Sequence, residues 1–173
     1  LRQIVNEAVN FDAPLVPISK QLTCLELFHG PSLAFKDFGA RFMARLMSYL
    51  LKGSNQKLYI LVATSGDTGG AVAQGFLHTK NIEVIILYPS QKISLLQEKQ
   101  LTTLGANITA LEIPLKSIPS CLKKFLSSVT TKASINNLGI ASYGINTLFS
   151  LAYSWIILSL LEYNLVIALV LYD

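Results

Sequence analysis

The chain has 173 residues, enough for one hydrophobic core, and its length alone favours a single domain. Hydrophobic residues make up 51% of it and charged residues 14%, and the mean hydropathy is +0.48. The formal net charge is +4, but Lys and Arg stand singly or in pairs, which excludes the dense basic surface of a nucleic-acid-binding protein. Two Cys and two His without metal-ligand spacing argue against a metal site.

The N-terminal segment, residues 1–57, lacks an initiator Met and the long apolar run of a signal peptide. Because the cysteines follow no disulfide pattern, we expect a reducing, cytoplasmic compartment, and we interpret the chain as a piece of something longer. Apolar residues at every fourth position from Phe38 to Leu50 predict a helix over residues 38–51. Asp37 stands at its start, where a carboxylate complements the positive end of the helix dipole.

The middle segment, residues 58–132, predicts a βαβαβ core. Three apolar runs have the length of buried strands, and they lie at residues 58–63, 83–88 and 107–113. Helical spacing follows the first run, and a capping box from Ser94 to Gln97 follows the second, with Gly105 as the stop. Strands that alternate with helices over short joins indicate an α/β fold with a parallel sheet.

Lys36 stands between Phe35 and Asp37 in "FHGPSLAFKDF", just after a Gly-Pro turn. Most lysines lie on the surface, with the aliphatic stem partly covered and the ammonium group in water. A lysine in an apolar pocket differs, because lost solvation favours the neutral amine, which attacks carbonyl groups. The local sequence leaves both interpretations open.

The segment "TSGDTGG" follows the first strand of the predicted core. In a parallel sheet, ligands gather where a strand ends and a helix begins. The hydroxyls of Thr64, Ser65 and Thr68, with the amides of the next helix, have the composition of an anion nest. Gly66 allows a ligand to approach the backbone closely. The same residue types also serve as ordinary turn and cap residues, so both interpretations stand for the loop alone.

Three segments taken together resemble the threonine synthase family of pyridoxal-phosphate enzymes: "ELFHGPSLAFKDFGARFMARL", "LVATSGDTGGAVAQGF" and "VIILYPSQKISLLQEKQLTTLGANITALE". The likeness covers residues 11–113 almost without gaps. Ser32 stands where the family signature has Thr, a change that preserves the hydroxyl. The resemblance implies an incomplete α/β fold with a parallel three-layer sheet of the tryptophan-synthase-β-like type.

Members of this family are lyases that convert O-phosphohomoserine and water to threonine and phosphate, with pyridoxal 5'-phosphate as the electron sink. The resemblance implies that Lys36 is the Schiff-base lysine and moves protons on the substrate, with Phe35 walling its pocket. It implies that Asp67 lies near the ring oxygen of the cofactor. The implied substrate-binding residues are Ser32, Thr64, Ser65, Gly66 and Thr68. We interpret Asp37 and Arg41 as a helix cap and a surface or interdomain contact.

The likeness fades after Pro114, and residues 133–173 form a divergent apolar C-terminal segment. In relatives, a strand similar to "LVIA" leads into a Pro-Ser-Gly-Asn-Phe-Gly loop that holds the cofactor phosphate, whereas here "LVIALVLYD" ends the sequence. We therefore interpret the chain as a truncated copy. We expect residues 133–173 to exchange amide hydrogens faster than residues 58–113.

Three alternatives stay open. A serine or threonine dehydratase of the same fold group also pairs a lysine with a Ser-Gly-x-Thr-Gly loop, and a non-catalytic remnant would fit the missing phosphate loop. The third is membrane association. Residues 147–172 carry one charge, Glu162, and are long enough to span a bilayer, but Glu162-Tyr163-Asn164 interrupts the run. We therefore favour a helix followed by a strand over membrane association.

Overall fold

The structure, a computed structural model, describes residues 1–53, 57–64, 66–118, 120–121, 124 and 165–171. Its helices with described bounds are α1 (Arg2–Ala8), α2 (Lys36–Leu50), α3 (Asp67–Phe76) and α4 (Leu95–Thr102). Its strands are β1 (Leu15–Pro17), β2 (Thr23–Leu25), β3 (Lys57–Ala63), β4 (Ile82–Pro89), β5 (Ile108–Ile113) and β6 (Leu165–Leu171). A 3-10 helix, Leu115–Ser117, follows β5.

The main sheet has the strand order β5-β4-β3-β6. Strands β3, β4 and β5 are parallel, as the sequence predicts, and Ile60 of β3 lies opposite Val84 of β4. Strand β6 runs antiparallel to β3, with Leu58 opposite Val170, and thus departs from the all-parallel arrangement. The short strands β1 and β2, which the sequence did not indicate, form a separate antiparallel pair.

The three predicted strands of the middle segment agree with the structure to within one residue at each end, whereas α3 begins at Asp67, inside the segment that the sequence predicts as a loop. The capping box of α4 is confirmed. Ser94 Oγ accepts a hydrogen bond from Gln97 N at 3.3 Å, and Gln97 Oε1 accepts one from Ser94 N at 3.1 Å. The local chemistry of these residues is therefore sufficient to set where α4 begins.

The core of this segment lies between the sheet and α3. Strands β3 and β4 are buried along most of their length, which explains their nearly continuous apolar sequences. Phe76 of α3 is fully buried, and burial of such a ring contributes about 2–3 kcal/mol. Its neighbours in the core cluster include Ile60, Val62, Val72, Val84 and Ile86. Strand β5 is mostly half-exposed or exposed, as expected for an edge strand.

Helix α2 packs against α3 through small residues rather than through the apolar residues that repeat every fourth position. Ala40 and Ala44 are fully buried, whereas Leu50 is exposed. The reason lies in α3, because a Cβ atom added to Gly75 would lie 3.1 Å from the carbonyl carbon of Ala40. Phe38 instead packs edge-on against Phe11, with ring centroids 4.8 Å apart.

Within the described residues, no helix combines the length and the apolar character that crossing a membrane requires. Most of the segment that raised the membrane alternative lies outside the described residues, and so does most of the tail for which we expect fast hydrogen exchange. The part of the tail that the structure describes is β6, a strand where the "LVIA" pattern predicts one.

Candidate functional site

The turn before α2 is organised around a buried carboxylate. Asp37 is fully buried in the first turn of the helix, and its Oδ2 accepts a hydrogen bond from Ser32 N at 2.8 Å. Leu33 N donates to Gly30 O at 3.0 Å, and Leu33 has a φ of 60°. A Cβ atom on Gly30 would overlap with the Asp37 carboxylate. Asp37 therefore lies in the first turn of α2, as the sequence predicts, but its carboxylate accepts a hydrogen bond within the preceding turn and does not cap the helix.

Lys36 is the first residue of α2, and only 4% of it is exposed. Its Nζ lies 5.2 Å from the centroid of the Phe35 ring, within the range of a cation–π contact. Phe35 is 47% exposed, so its ring covers the lysine on one side and faces solvent on another. The burial of Lys36 departs from the ordinary surface lysine, and this favours the functional interpretation of the motif.

The loop after β3 is held by the hydroxyl of Thr64. Its Oγ1 accepts hydrogen bonds from Gly66 N at 3.0 Å and from Gly69 N at 2.9 Å. Gly66 occupies the N-cap position of α3 with a φ of 145°, where it has no side chain to cap the helix. Thr64 supplies the missing cap from two residues earlier. Two of the amides that we expected to bind an anion thus donate to Thr64 instead.

Asp67, the first residue of α3, is exposed, and its carboxylate is directed to α4. Asp67 Oδ1 accepts a hydrogen bond from Gln97 Nε2 at 2.7 Å. Gln97 was predicted only as part of the capping box, because a sequence gives no sign of a contact across 30 positions. Ser65, the remaining predicted residue of this loop, lies outside the described residues.

Unsatisfied polar atoms concentrate at the two motifs. In the described part of the chain, the buried side-chain atoms without a hydrogen-bond partner are Ser32 Oγ, Asp37 Oδ1, Thr68 Oγ1 and Thr79 Oγ1. Ser32 belongs to the turn before α2, Asp37 to the first turn of α2, and Thr68 to the first turn of α3, next to the loop after β3. Native proteins satisfy most buried polar atoms, so such a concentration is typical of a site that receives a ligand.

Arg41 joins α2 to the N-terminal helix, which agrees with its interpretation as a contact residue. It donates hydrogen bonds to Ala8 O at 2.6 Å, to Glu7 O at 3.1 Å and to Asn10 Oδ1 at 2.7 Å. Partial burial lowers the pKa of Arg41 and nearby Arg45 lowers it further, whereas Asp37 raises it. Arg41 therefore anchors α2, the helix that carries Lys36, to the end of α1.

A cavity of about 870 Å³ lies elsewhere, between α1, the C-terminal half of α2 and the Lys80-Asn81 turn. None of the predicted site residues that the structure describes lines it. We locate the candidate site at the two motifs instead, because they hold the buried lysine and the unsatisfied hydroxyls. Thr64 accepts hydrogen bonds from Gly66 and Gly69, and Asp67 accepts one from α4. The backbone of Ser32 donates its hydrogen bond to Asp37, at the other motif.

Comparison with known proteins gives a consistent result, although no family model matches the chain. The chain is 55% identical over 114 residues to the threonine synthase of Buchnera aphidicola subsp. Baizongia pistaciae, covering 65% of this chain and 26% of that protein. It is 50% identical over 113 residues to threonine synthase of Escherichia coli, again covering 65% and 26%. With the protein of Saccharomyces cerevisiae it shares 40% identity over 103 residues, or 54% and 20% of the two chains.

Solved structures agree with the sequence comparison. The crystal structure of Escherichia coli threonine synthase matches with a TM-score of 0.65 at 43% identity, covering 76% of this chain and 31% of that one. The PLP-bound threonine synthase from Brucella melitensis matches with a TM-score of 0.68 at 34% identity, covering 74% and 29%. The chain is thus similar in sequence to threonine synthases and spans between 26% and 33% of the length of two Buchnera aphidicola relatives. In the solved structures, the shared fold covers 29% to 31% of the length of those chains.

Proposed function

We propose that this chain forms part of a threonine synthase and supplies the cofactor-binding lysine and the substrate-binding loop. The observation that carries the proposal is the burial of Lys36 at the start of α2, with 4% of the residue exposed. A buried lysine beside an aromatic ring is a rare arrangement, and here it falls in a chain that is 55% identical to a threonine synthase over 114 residues.

The residues present fit pyridoxal 5'-phosphate, the cofactor that the Brucella melitensis relative binds. Such a cofactor needs a lysine amine shielded from water, which the burial of Lys36 supplies. The buried hydroxyls of Ser32 and Thr68 lack partners within the described residues, and a polar ligand would satisfy them. When bound, the cofactor supplies an electron sink for a carbanion of the substrate.

Each residue of the chain then has a distinct task. Lys36 holds the cofactor through its Nζ and moves protons on the substrate, since its side chain is the buried amine of the site. Ser32 and Thr68 donate hydrogen bonds from their hydroxyls to the anionic groups of the substrate. Thr64 works indirectly, because its hydroxyl holds the amides of Gly66 and Gly69 in place.

The other residues of the proposed site contribute to its surroundings. Phe35 shields Lys36, and Ser65 adds a hydroxyl to the loop. The resemblance would place Asp67 near the ring oxygen of the cofactor, but its carboxylate is bound to Gln97 on the α4 side of the loop. We propose a small, phosphorylated amino acid as the substrate, namely O-phosphohomoserine, and the cytoplasm as the compartment. The products would be threonine and phosphate.

Covalent labelling tests the lysine assignment. The chain is incubated with pyridoxal 5'-phosphate, reduced with borohydride and digested, and the labelled peptide is identified by mass spectrometry. We expect the label on Lys36 and its loss in Lys36→Ala. The exposed residues Lys52 and Lys57 serve as internal controls. Labelling of either control in place of Lys36 contradicts the proposal.

Turnover assays separate the alternatives. Phosphate release from O-phosphohomoserine that disappears in Lys36→Ala supports a threonine synthase. Release of ammonia from threonine, without release of phosphate from O-phosphohomoserine, supports the dehydratase alternative. A chain that is labelled on Lys36 but turns over neither substrate is the non-catalytic remnant.

A further inference from the structure

The side chain of Gln97 contacts the start of two helices at once. Its Oε1 accepts hydrogen bonds from Ser94 N at 3.1 Å and from Ser94 Oγ at 3.0 Å, which closes the capping box of α4. Its Nε2 donates to Asp67 Oδ1 at 2.7 Å, at the start of α3. One amide group therefore joins the N-termini of α3 and α4, where β3 and β4 end in the parallel sheet.

The residue next to Asp67 shows how closely the amide is fitted. A Cβ atom on Gly66 would overlap with the side-chain amide of Gln97, so the loop has room for this amide only because residue 66 is glycine. Gly66 also has a φ of 145°, a conformation that other residues rarely adopt. The position of the Gln97 side chain thus depends on the loop having glycine at residue 66.

The contact matters because Asp67 is an anion at the start of a helix. The positive end of the α3 dipole attracts any carboxylate nearby, including one on its own first turn. An anionic substrate that binds at this loop needs the same positive end. A freely rotating Asp67 carboxylate would therefore compete with the substrate for the start of α3.

We propose that Gln97 is a positioning residue that keeps the Asp67 carboxylate on the α4 side of the loop and leaves the start of α3 open to an anionic ligand. This inference rests on the proposed function, in which the loop binds the substrate carboxylate. Gln97 acts through Asp67 and has no contact with the substrate. Its contribution to the order of the loop, however, is measurable without any ligand.

The first experiment measures amide hydrogen exchange of the full chain without ligand. We expect Gln97→Ala to speed exchange at the amides of Gly69 and Gly70 about fivefold, because the first turn of α3 loses its link to α4. Gln100→Ala, on the same helix, and Ser94→Ala, which removes the other half of the capping box, should change these amides less than twofold. Equal effects of Gln97→Ala and Ser94→Ala would overturn the proposal, since loss of the α4 cap alone would then explain both.

The second experiment uses inorganic phosphate as the anionic probe and follows the loop amides by NMR. We expect Gln97→Ala to weaken phosphate binding about fivefold, the scale of one charge at a helix end. The double variant Gln97→Ala with Asp67→Asn should bind phosphate within about twofold of Asp67→Asn alone, because the competing charge is gone. If Gln97 had only a structural role, removing the charge of Asp67 would not restore phosphate binding. A double variant that binds phosphate much more weakly than Asp67→Asn alone would therefore overturn the proposal. If the unaltered chain binds no phosphate at this loop, the proposed substrate site fails, and the exchange experiment alone decides the role of Gln97.

Discussion

The turn before α2 and the loop after β3 both lead into a helix, yet they use their carboxylates in opposite ways. In the turn, the carboxylate of Asp37 is buried and accepts a backbone hydrogen bond from Ser32. In the loop, the hydroxyl of Thr64 accepts the backbone hydrogen bond from Gly69, and the carboxylate of Asp67 is exposed and bound to Gln97. A neutral acceptor inside the loop leaves that helix start free of an internal negative charge.

This difference indicates a division of tasks between the two segments. The turn leads into Lys36, and the carboxylate of Asp37, the next residue in the sequence, is buried. The loop is proposed to bind the carboxylate of a substrate, which a buried negative charge would repel. The variants below test how much the buried carboxylate of Asp37, the exposed carboxylate of Asp67 and the hydroxyl of Thr64 each contribute to the free energy of unfolding.

The largest effect is expected at Asp37. We expect Asp37→Ala to lower the free energy of unfolding by about 3 kcal/mol, because a hydrogen bond from Ser32 N to a charged, buried acceptor is lost. Asp67→Ala is the matched control, and its exposed hydrogen bond should cost about 0.5 kcal/mol. Urea unfolding measures both. Similar losses of unfolding free energy in the two variants would contradict the expected difference between the buried and the exposed carboxylate.

Gly66→Ala should lower the free energy of unfolding by about 2 kcal/mol, because its φ of 145° strains any side chain and the Gln97 amide fills the space. Gly53→Ala is the control, since Gly53 also has a positive φ, of 82°, but no atom lies within 4 Å of the added Cβ. It should cost about 1 kcal/mol. Equal costs, measured by urea unfolding, would show that backbone strain alone determines the effect.

Thr64→Val tests the acceptor inside the loop. The variant keeps the shape of the side chain but removes the acceptor for the amides of Gly66 and Gly69, so we expect a loss of about 1.5 kcal/mol. Thr64→Ser keeps the hydroxyl and should lose less. Thermal unfolding of the two variants gives the comparison, and a larger loss for Thr64→Ser would indicate that the methyl group matters more than the hydrogen bonds.

The smallest effect concerns a surface pair at the start of β3. Lys57 Nζ lies 3.1 Å from Glu83 Oε1, and this hydrogen bond, together with the charge of Glu83, raises the pKa of Lys57. A raised pKa in the folded state means that the stabilisation is fully present below the ordinary lysine value and is lost as the pH rises through the raised value. Glu83→Gln should return the pKa of Lys57 toward its ordinary value in an NMR titration. An unchanged pKa would show that the pair does not form in solution.

Much of the candidate site follows from the sequence, because its residues stand in two compact motifs. Lys36, Ser32 and Phe35 lie within five positions of one another, and Thr64 and Thr68 follow a strand whose apolar run is easy to recognise. Asp37 stands at the start of α2, as the sequence predicts, but its burial against Gly30 and its hydrogen bond from Ser32 have no signal in the sequence. The hydrogen bond from Gln97 to Asp67 does not follow from the sequence, because the two residues are 30 positions apart.

The sequence by itself determined the elements whose causes are local. Apolar runs set β3, β4 and β5, and the hydroxyl and amide of Ser94 and Gln97 set the start of α4, since each depends on residues only a few positions apart. Tertiary structure alone decided which face of α2 is buried, because close contact between Ala40 and Gly75 admits only small residues. It also decided the antiparallel pairing of β6 with β3, since the apolar pattern of a strand is the same in both directions.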